Sequence, residues 1–152
     1  MTAPTMSERA MNTPGYDPDN IFAKILRGDI PSHAVFEDAH TLAFMDVMPQ
    51  GPGHTLVVPK SPCRNLLDAD PAVLARLLPV VQRVARAVQS AFAADGVSVM
   101  QFNEAAGGQS VFHLHMHVIP RFEGIALKPH TGGMEKPGVL AANAARIRAA
   151  LC

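Results

Sequence analysis

Three of the seven histidines lie within five residues, His113-Leu114-His115-Met116-His117, with one apolar residue between each pair. Neutral imidazole is the side chain best suited to nucleophilic and proton-transfer work near pH 7. A strand repeats its side-chain direction every second residue. His113, His115 and His117 are therefore expected on one face of a strand running from about Val111 to Ile119, with Leu114, Met116 and Val118 on the buried face. Rings so placed lie roughly 6.5–7 Å apart along the strand, which suits several groups gripping one polyatomic anion. Gly107-Gly108-Gln109-Ser110 leads into the stretch. A glycine-rich turn can offer backbone N–H groups to an anion without side-chain obstruction. A metal site is the rival chemistry, since alternate histidines can ligate zinc, but Gly-Gly-Gln-Ser has no use in it.

The elements that must position these residues follow from periodicity and punctuation. Asn20 is placed to cap a short helix, Ile21 to Arg27, ended by Gly28. Strands are expected near His33 to Glu37 and Thr41 to Asp46. In the second, Leu42, Phe44 and Asp46 share one face and Ala43, Met45 and Val47 the other. His54 to Pro59 reads as a central strand after the Pro/Gly loop at 48–53. Asp70-Pro71 opens a long helix whose apolar stripe runs through Leu74, Leu77, Leu78, Val81, Val84 and Val88, and which Pro79 should kink or split. Val97 to Phe102 is a fourth strand. Residues 121–136 look irregular, and Pro137 to Leu151 reads as a terminal helix. This order fits an α+β fold, a five-stranded antiparallel sheet with its helices on one side. Residues 1–19 read as a flexible leader and 20–152 as a single domain with a helical tail.

Bulk properties narrow the function classes. Thirteen basic and 13 acidic residues give zero formal net charge, so no global field recruits nucleic acid or an anionic membrane. Any anionic ligand must be held locally. The apolar runs are too short to span a bilayer. Cys63 and Cys152 make neither a disulfide framework nor a Cys-x-x-Cys site, which favours a cytoplasmic setting. His33, His40 and His130 have no motif context and are expected at the surface.

The sequence His113-Leu114-His115-Met116-His117-Val118-Ile119 resembles the signature of the histidine-triad (HIT) family, and the likeness extends further. Ile21-Phe22-Ala23-Lys24-Ile25, Ala43-Phe44-Met45-Asp46, Pro52 to Lys60, and Asn103-Glu104 with Gly108-Gln109-Ser110 are similar to the HINT-like branch. The resemblance implies a nucleotide-binding hydrolase or transferase acting at phosphorus, usually a homodimer with a sheet continuous across the interface. It implies His115 as nucleophile, His117 on the phosphoryl oxygens and leaving group, and His113 and His54 in support. Asp46 would hold ribose hydroxyls. Ile21, Phe22, Ile25, Phe44 and Val47 would wall the base, with a purine nucleotide as substrate. Asn103, Gly108, Gln109, Ser110 and Val111 would surround the phosphate and leaving group.

The resemblance has one gap. Many bacterial relatives carry a zinc held by a Cys-x-x-Cys pair and a later histidine, where this chain has Asn20, Ala23 and Pro62. Cys63, one residue displaced, cannot complete a four-ligand site, so no zinc or other cofactor is expected. The expected reaction releases AMP from a phosphoramidate through a nucleotidyl-histidine. Neutral imidazole avoids the repulsion that phosphorus-bound oxygens exert on an anionic nucleophile. Its attacking nitrogen must be unprotonated, so the other must donate to a fixed acceptor such as a backbone carbonyl. Dinucleoside polyphosphate hydrolysis, as in another branch of the family, and a dimer with vestigial catalysis are the alternatives.

Overall fold

The structure is a computed structural model that describes residues 15–130 and 132–151; the first 14 residues of the expected leader, and Cys152, lie outside them. Asn20 caps helix α1 (Ile21–Leu26), its side chain accepting from the Ala23 N–H, and Gly28 follows the helix with φ +83°. Strands β1 (Ala34–Glu37), β2 (Thr41–Met45) and β3 (Thr55–Pro59) come next. Asp70 then caps the 21-residue helix α2 (Pro71–Ala91). Strand β4 (Gly96–Met100), a single 3-10 turn (Ala105–Gly107), strand β5 (Met116–Arg121) and helix α3 (Pro137–Leu151) complete the chain. The five strands form one antiparallel sheet in the order β1-β2-β3-β5-β4, with β3 in its centre.

The alternation read in β2 divides the interior. Ala43 and Met45 join Val57, Val118 and Leu114 in a core covered by α2, through Leu77, Val81, Val84 and Val88, and by α3, through Leu140, Ala144 and Ile147. Leu42, Phe44, Leu56 and Val58 face the other way and pack with Phe22 of α1. Helices therefore cover both faces, not one as expected: α2 and α3 lie on one side and the short α1 on the other. Burying the side chains on both sides of β2 and β3 is what a central pair of strands requires.

Three expectations are corrected. Helix α2 runs unbroken through Pro79, which sits on the exposed side. The carbonyl of Ala75, deprived of its partner by the proline, is on an exposed turn and can face water. Leu78, assigned to the apolar stripe, is 57% exposed. The triad strand begins at Met116, so only His117 of the three histidines lies within it. Leu114 donates its N–H to the Cys63 carbonyl (2.9 Å) and not to a strand neighbour, and pairing with β3 begins at Met116 opposite Val57.

Candidate active site

Sheet geometry brings the chemistry-bearing residues onto the face opposite α2 and α3. His117 stands opposite Leu56 in the β3–β5 pair, and His54 precedes Leu56 by two residues. Asp46, directly after β2, continues the face of Leu42 and Phe44; its N–H donates to the His54 carbonyl at 3.0 Å. A cavity of about 330 Å³ opens here. Its walls include Ile21, Phe22, Ile25, Phe44, Val47 and Leu56 on the apolar side, with Asp46, Ser110, Val111, His115, His117 and His130 bringing polar groups and the loop end. A mainly apolar slot with a few convergent polar groups is what a small-molecule site requires.

The hydrogen bonds fix the tautomer of each buried histidine. The Gln50 N–H donates to His54 Nδ1 (3.0 Å), so that nitrogen is unprotonated and His54 Nε2 carries the hydrogen. That Nε2–H lies 2.9 Å from His117 Nδ1, which must accept, leaving the His117 proton on Nε2. His115 Nδ1 donates to the His113 carbonyl at 2.6 Å, leaving Nε2 unprotonated. His113 Nε2 donates to the Pro59 carbonyl (2.8 Å), and its Nδ1 accepts from the Tyr16 hydroxyl. Phe22 lies edge-on to His115, with ring centroids 4.9 Å apart, and His115 and His117 are 5.0 Å apart. Burial keeps these rings neutral. It lowers the pKa of His54 and of His117 to about 3 and that of His113 to about 4, and it lowers that of His115 as well. Neighbouring imidazoles reinforce the effect at His54 and His117.

Some expected residues stand elsewhere. The His113 ring is fully buried among Tyr16 and Pro59 and does not line the cavity with His115 and His117. The reason is its position before β5, where its ring supplies the anchoring that ladder bonds would otherwise give. His54 is also fully buried; it does not line the cavity, but its Nε2 lies 2.9 Å from His117 Nδ1 and 3.4 Å from Asp46 Oδ2, both of which do. Gln109 spends its amide tying its loop together and to the segment at Arg64 and Asn65. Its Oε1 accepts from the Glu104 N–H (2.8 Å) and Asn65 Nδ2 (3.1 Å), while its Nε2 donates to the carbonyls of Arg64 (2.8 Å) and Val111 (3.0 Å). Asn103 accepts from the Leu66 N–H at 2.9 Å. The N–H groups of Gly107, Gly108 and Gln109 close the 3-10 turn onto Glu104 and Ala105, so this part of the loop is braced internally and Ser110 and Val111 meet the cavity. Glu104, at φ 65°, is held in that conformation by Arg64 (2.7 and 2.8 Å) and Asn65 (2.7 Å).

Two residues of the site were not foreseen. His130, expected at the surface, places Nε2 3.0 Å from Asp46 Oδ2 and lines the cavity. Tyr16, within the stretch read as leader, is buried against Ala23 and His113. Neither had a local signal, because both reach the site by folding over from distant sequence.

As to metals, Asn20, Ala23, Pro62 and a buried Cys63 offer no thiolate pair, so the zinc set of the bacterial relatives does not fit here. Burial pushes the Cys63 thiol up to about 12. Asp46, His54 and His117 do bring ligand-type atoms within 4.8 Å of one another. The His54 Nε2–H sits between the other two, 2.9 Å from His117 Nδ1 and 3.4 Å from Asp46 Oδ2.

A family model described as HIT domain matches residues 27–124. The chain belongs to the HIT family. This HIT protein is similar to a Hit-like protein involved in cell-cycle regulation from Bartonella henselae, solved with an unknown ligand, at 55% identity and TM-score 0.85; the match covers 90% of this chain and 99% of that one. It is also similar to a hypothetical histidine triad nucleotide-binding protein from Sulfolobus tokodaii strain7, at 32% identity and TM-score 0.79, over 86% and 90% of the two chains. Among sequence relatives, an Arabidopsis thaliana adenylylsulfatase HINT3 is 36% identical over 105 residues, 69% of this chain and 53% of that protein. No helix among the described residues is long and apolar enough to cross a membrane.

Proposed function

We propose that this HIT protein is a nucleotide-binding hydrolase that releases a nucleoside monophosphate, AMP, from a phosphoramidate or related adenylylated compound. The observation that carries the reading is the tautomer of His115: a neutral ring in the cavity wall, with Nδ1–H tied to a carbonyl and Nε2 free to attack. His115 Nε2 bonds to phosphorus as the bond to the leaving group breaks. The phosphoramidate nitrogen enters protonated and departs as a neutral amine, while neutral His117 keeps its Nε2–H and donates it as a hydrogen bond to a phosphoryl oxygen. Water then adds to phosphorus and releases a proton to solvent, the phosphorus–His115 bond breaks with its electron pair returning to Nε2, and AMP leaves. Asp46 holds the ribose hydroxyls, and Phe22, Ile25 and Phe44 sandwich the base. The names nucleotide-binding protein on the Sulfolobus relative and adenylylsulfatase on the plant relative both support an adenylylated substrate.

The reaction needs no metal in this reading, because the neutral rings and Ser110 supply positioning and charge stabilisation. We further propose a cytoplasmic homodimer. The apolar face of α2 is occupied: Leu77, Val81 and Val84 pack into the core of their own chain. The open edge of β4, with Val99 44% exposed, is the better surface, and pairing there would extend the sheet across two copies. Sedimentation at micromolar concentration tests the dimer; a particle of one chain's mass, 16.2 kDa, would refute it. The activity is tested by mixing the protein with an adenosine phosphoramidate, an adenylyl sulfate and a dinucleoside polyphosphate and following AMP. Fastest release from the phosphoramidate is expected. Preference for the dinucleotide would move the assignment to the other branch, and tight AMP binding without turnover on any of them would leave a binding protein.

A further inference from the structure

We infer that Tyr16 is a positioning residue for the nucleophile: through the His113 ring it holds the His113 carbonyl that fixes the His115 tautomer. The inference rests on the reading of His115 as the attacking ring. The Tyr16 hydroxyl lies 2.5 Å from His113 Nδ1, and the two rings meet edge-on with centroids 5.6 Å apart. The direction of the bond follows from the other side of the ring. The Pro59 carbonyl, 2.8 Å from His113 Nε2, can only accept, so Nε2 carries the hydrogen and Nδ1 takes the phenol's. Desolvation pushes the Tyr16 pKa up to about 12, so the phenol stays a donor throughout the working range of an enzyme.

This anchoring matters because His113 lies outside the sheet. The register between β3 and β5 begins at Met116 opposite Val57. The His113 carbonyl accepts from the His115 ring, 2.6 Å away. A small rotation of the His113 backbone would swing that carbonyl away from Nδ1. The His115 proton would then be free to move to Nε2, the atom that must attack. Two hydrogen bonds to the His113 ring, one from Tyr16 and one to the end of β3, oppose that rotation. Tyr16 is itself held in place. Arg64 Nη1 donates to the Gly15 carbonyl (3.1 Å), Arg27 Nη1 donates to the Pro18 carbonyl (2.6 Å), and the Tyr16 ring packs on Ala23 of α1. The chain just before α1 thus acts on the chemistry through a residue 97 positions away.

The test is Tyr16→Phe, which removes the hydroxyl and keeps the ring. Histidine side chains labelled with ¹⁵N, observed without ligand, report which nitrogen of each ring is protonated. In the unaltered protein His113 should be protonated at Nε2 and His115 at Nδ1. In the Phe variant the His113 Nδ1 resonance should shift, and His115 should become a mixture of tautomers. The kcat for AMP release should fall about tenfold with KM within about twofold, as for a group that acts on the nucleophile and not on substrate affinity. A His115 tautomer unchanged in the Phe variant overturns the inference whatever the rate does. So does His115 protonated at Nε2 in the unaltered protein, a result that needs no variant to fold. Absence of turnover in the unaltered protein would instead sink the hydrolase reading, and the spectra would still decide the role of Tyr16.

Discussion

His115 turns its Nδ1–H back onto the carbonyl of His113, two residues earlier, at 2.6 Å. One short bond thereby orients the proposed nucleophile and chooses its tautomer. Replacing His115 by Asn keeps a polar group of similar size and removes the attacking nitrogen. Turnover should fall by at least about 1,000-fold, with AMP affinity changed by no more than a few-fold in a calorimetric titration. Near-normal turnover would remove His115 from its assigned role.

Acid should destabilise the fold through the same rings. His54, His113 and His117 are buried with pKa values of about 3, 4 and 3, against an ordinary value of 6.5. Above pH 6.5 both folded and unfolded forms hold these rings neutral, and their contribution is fully present. As pH falls below 6.5 the unfolded chain binds protons that the folded one refuses, so stability is lost progressively toward pH 3–4. The slope is up to about 1.4 kcal/mol per pH unit per ring. Urea midpoints measured from pH 8 to pH 4 should be flat at first and then drop. Activity should outlast the ordinary histidine range on the acid side, because burial also holds His115 neutral.

His130 bonds Asp46 Oδ2, while Asp46 Oδ1 takes the N–H of Met48 at 2.8 Å. The carboxylate that would receive the sugar is therefore steadied from both sides. His130→Ala should weaken AMP binding roughly three- to tenfold, the usual worth of about 1 kcal/mol for one hydrogen bond. Calorimetry with AMP and with 2′-deoxy-AMP checks this, and the loss should be smaller for the deoxy compound.

Gly53 adopts φ +83°, and a Cβ there would lie 2.6 Å from the Phe92 ring. Gly53→Ala combines backbone strain with a clash against an aromatic ring of the core. It should cost about 2 kcal/mol or more, read as a lower denaturant midpoint. Because the next residue is His54, the variant should also lose activity at temperatures where it stays folded.

Local patterns carried much of this architecture. The Asn20 and Asp70 caps, the alternation of Leu42 and Phe44 against Ala43 and Met45, and the span of the terminal helix all depend on neighbours a few residues apart. The triad stretch was legible as chemistry but not as geometry. Period-two spacing put His113 and His115 in a strand, yet the ring of His113 bonds a carbonyl 54 residues back, and Leu114 bonds Cys63. His130 and Tyr16 carried no motif and acquire their meaning only when distant segments meet. The four bonds of the Gln109 amide, to Glu104 and Val111 in its own loop and to Arg64 and Asn65 far back in the chain, were likewise not legible, because nothing near Gln109 in sequence names those partners.

The two sides of the sheet have separate duties. One is sealed by α2 and α3, while the other ends in the cavity walled by Phe22, Phe44 and Leu56. Natural variation or directed evolution could therefore reshape ligand preference at Phe44 and Leu56 while their neighbours Ala43 and Val57 keep the scaffold intact. A protein so divided can diversify its substrates without renegotiating how it folds.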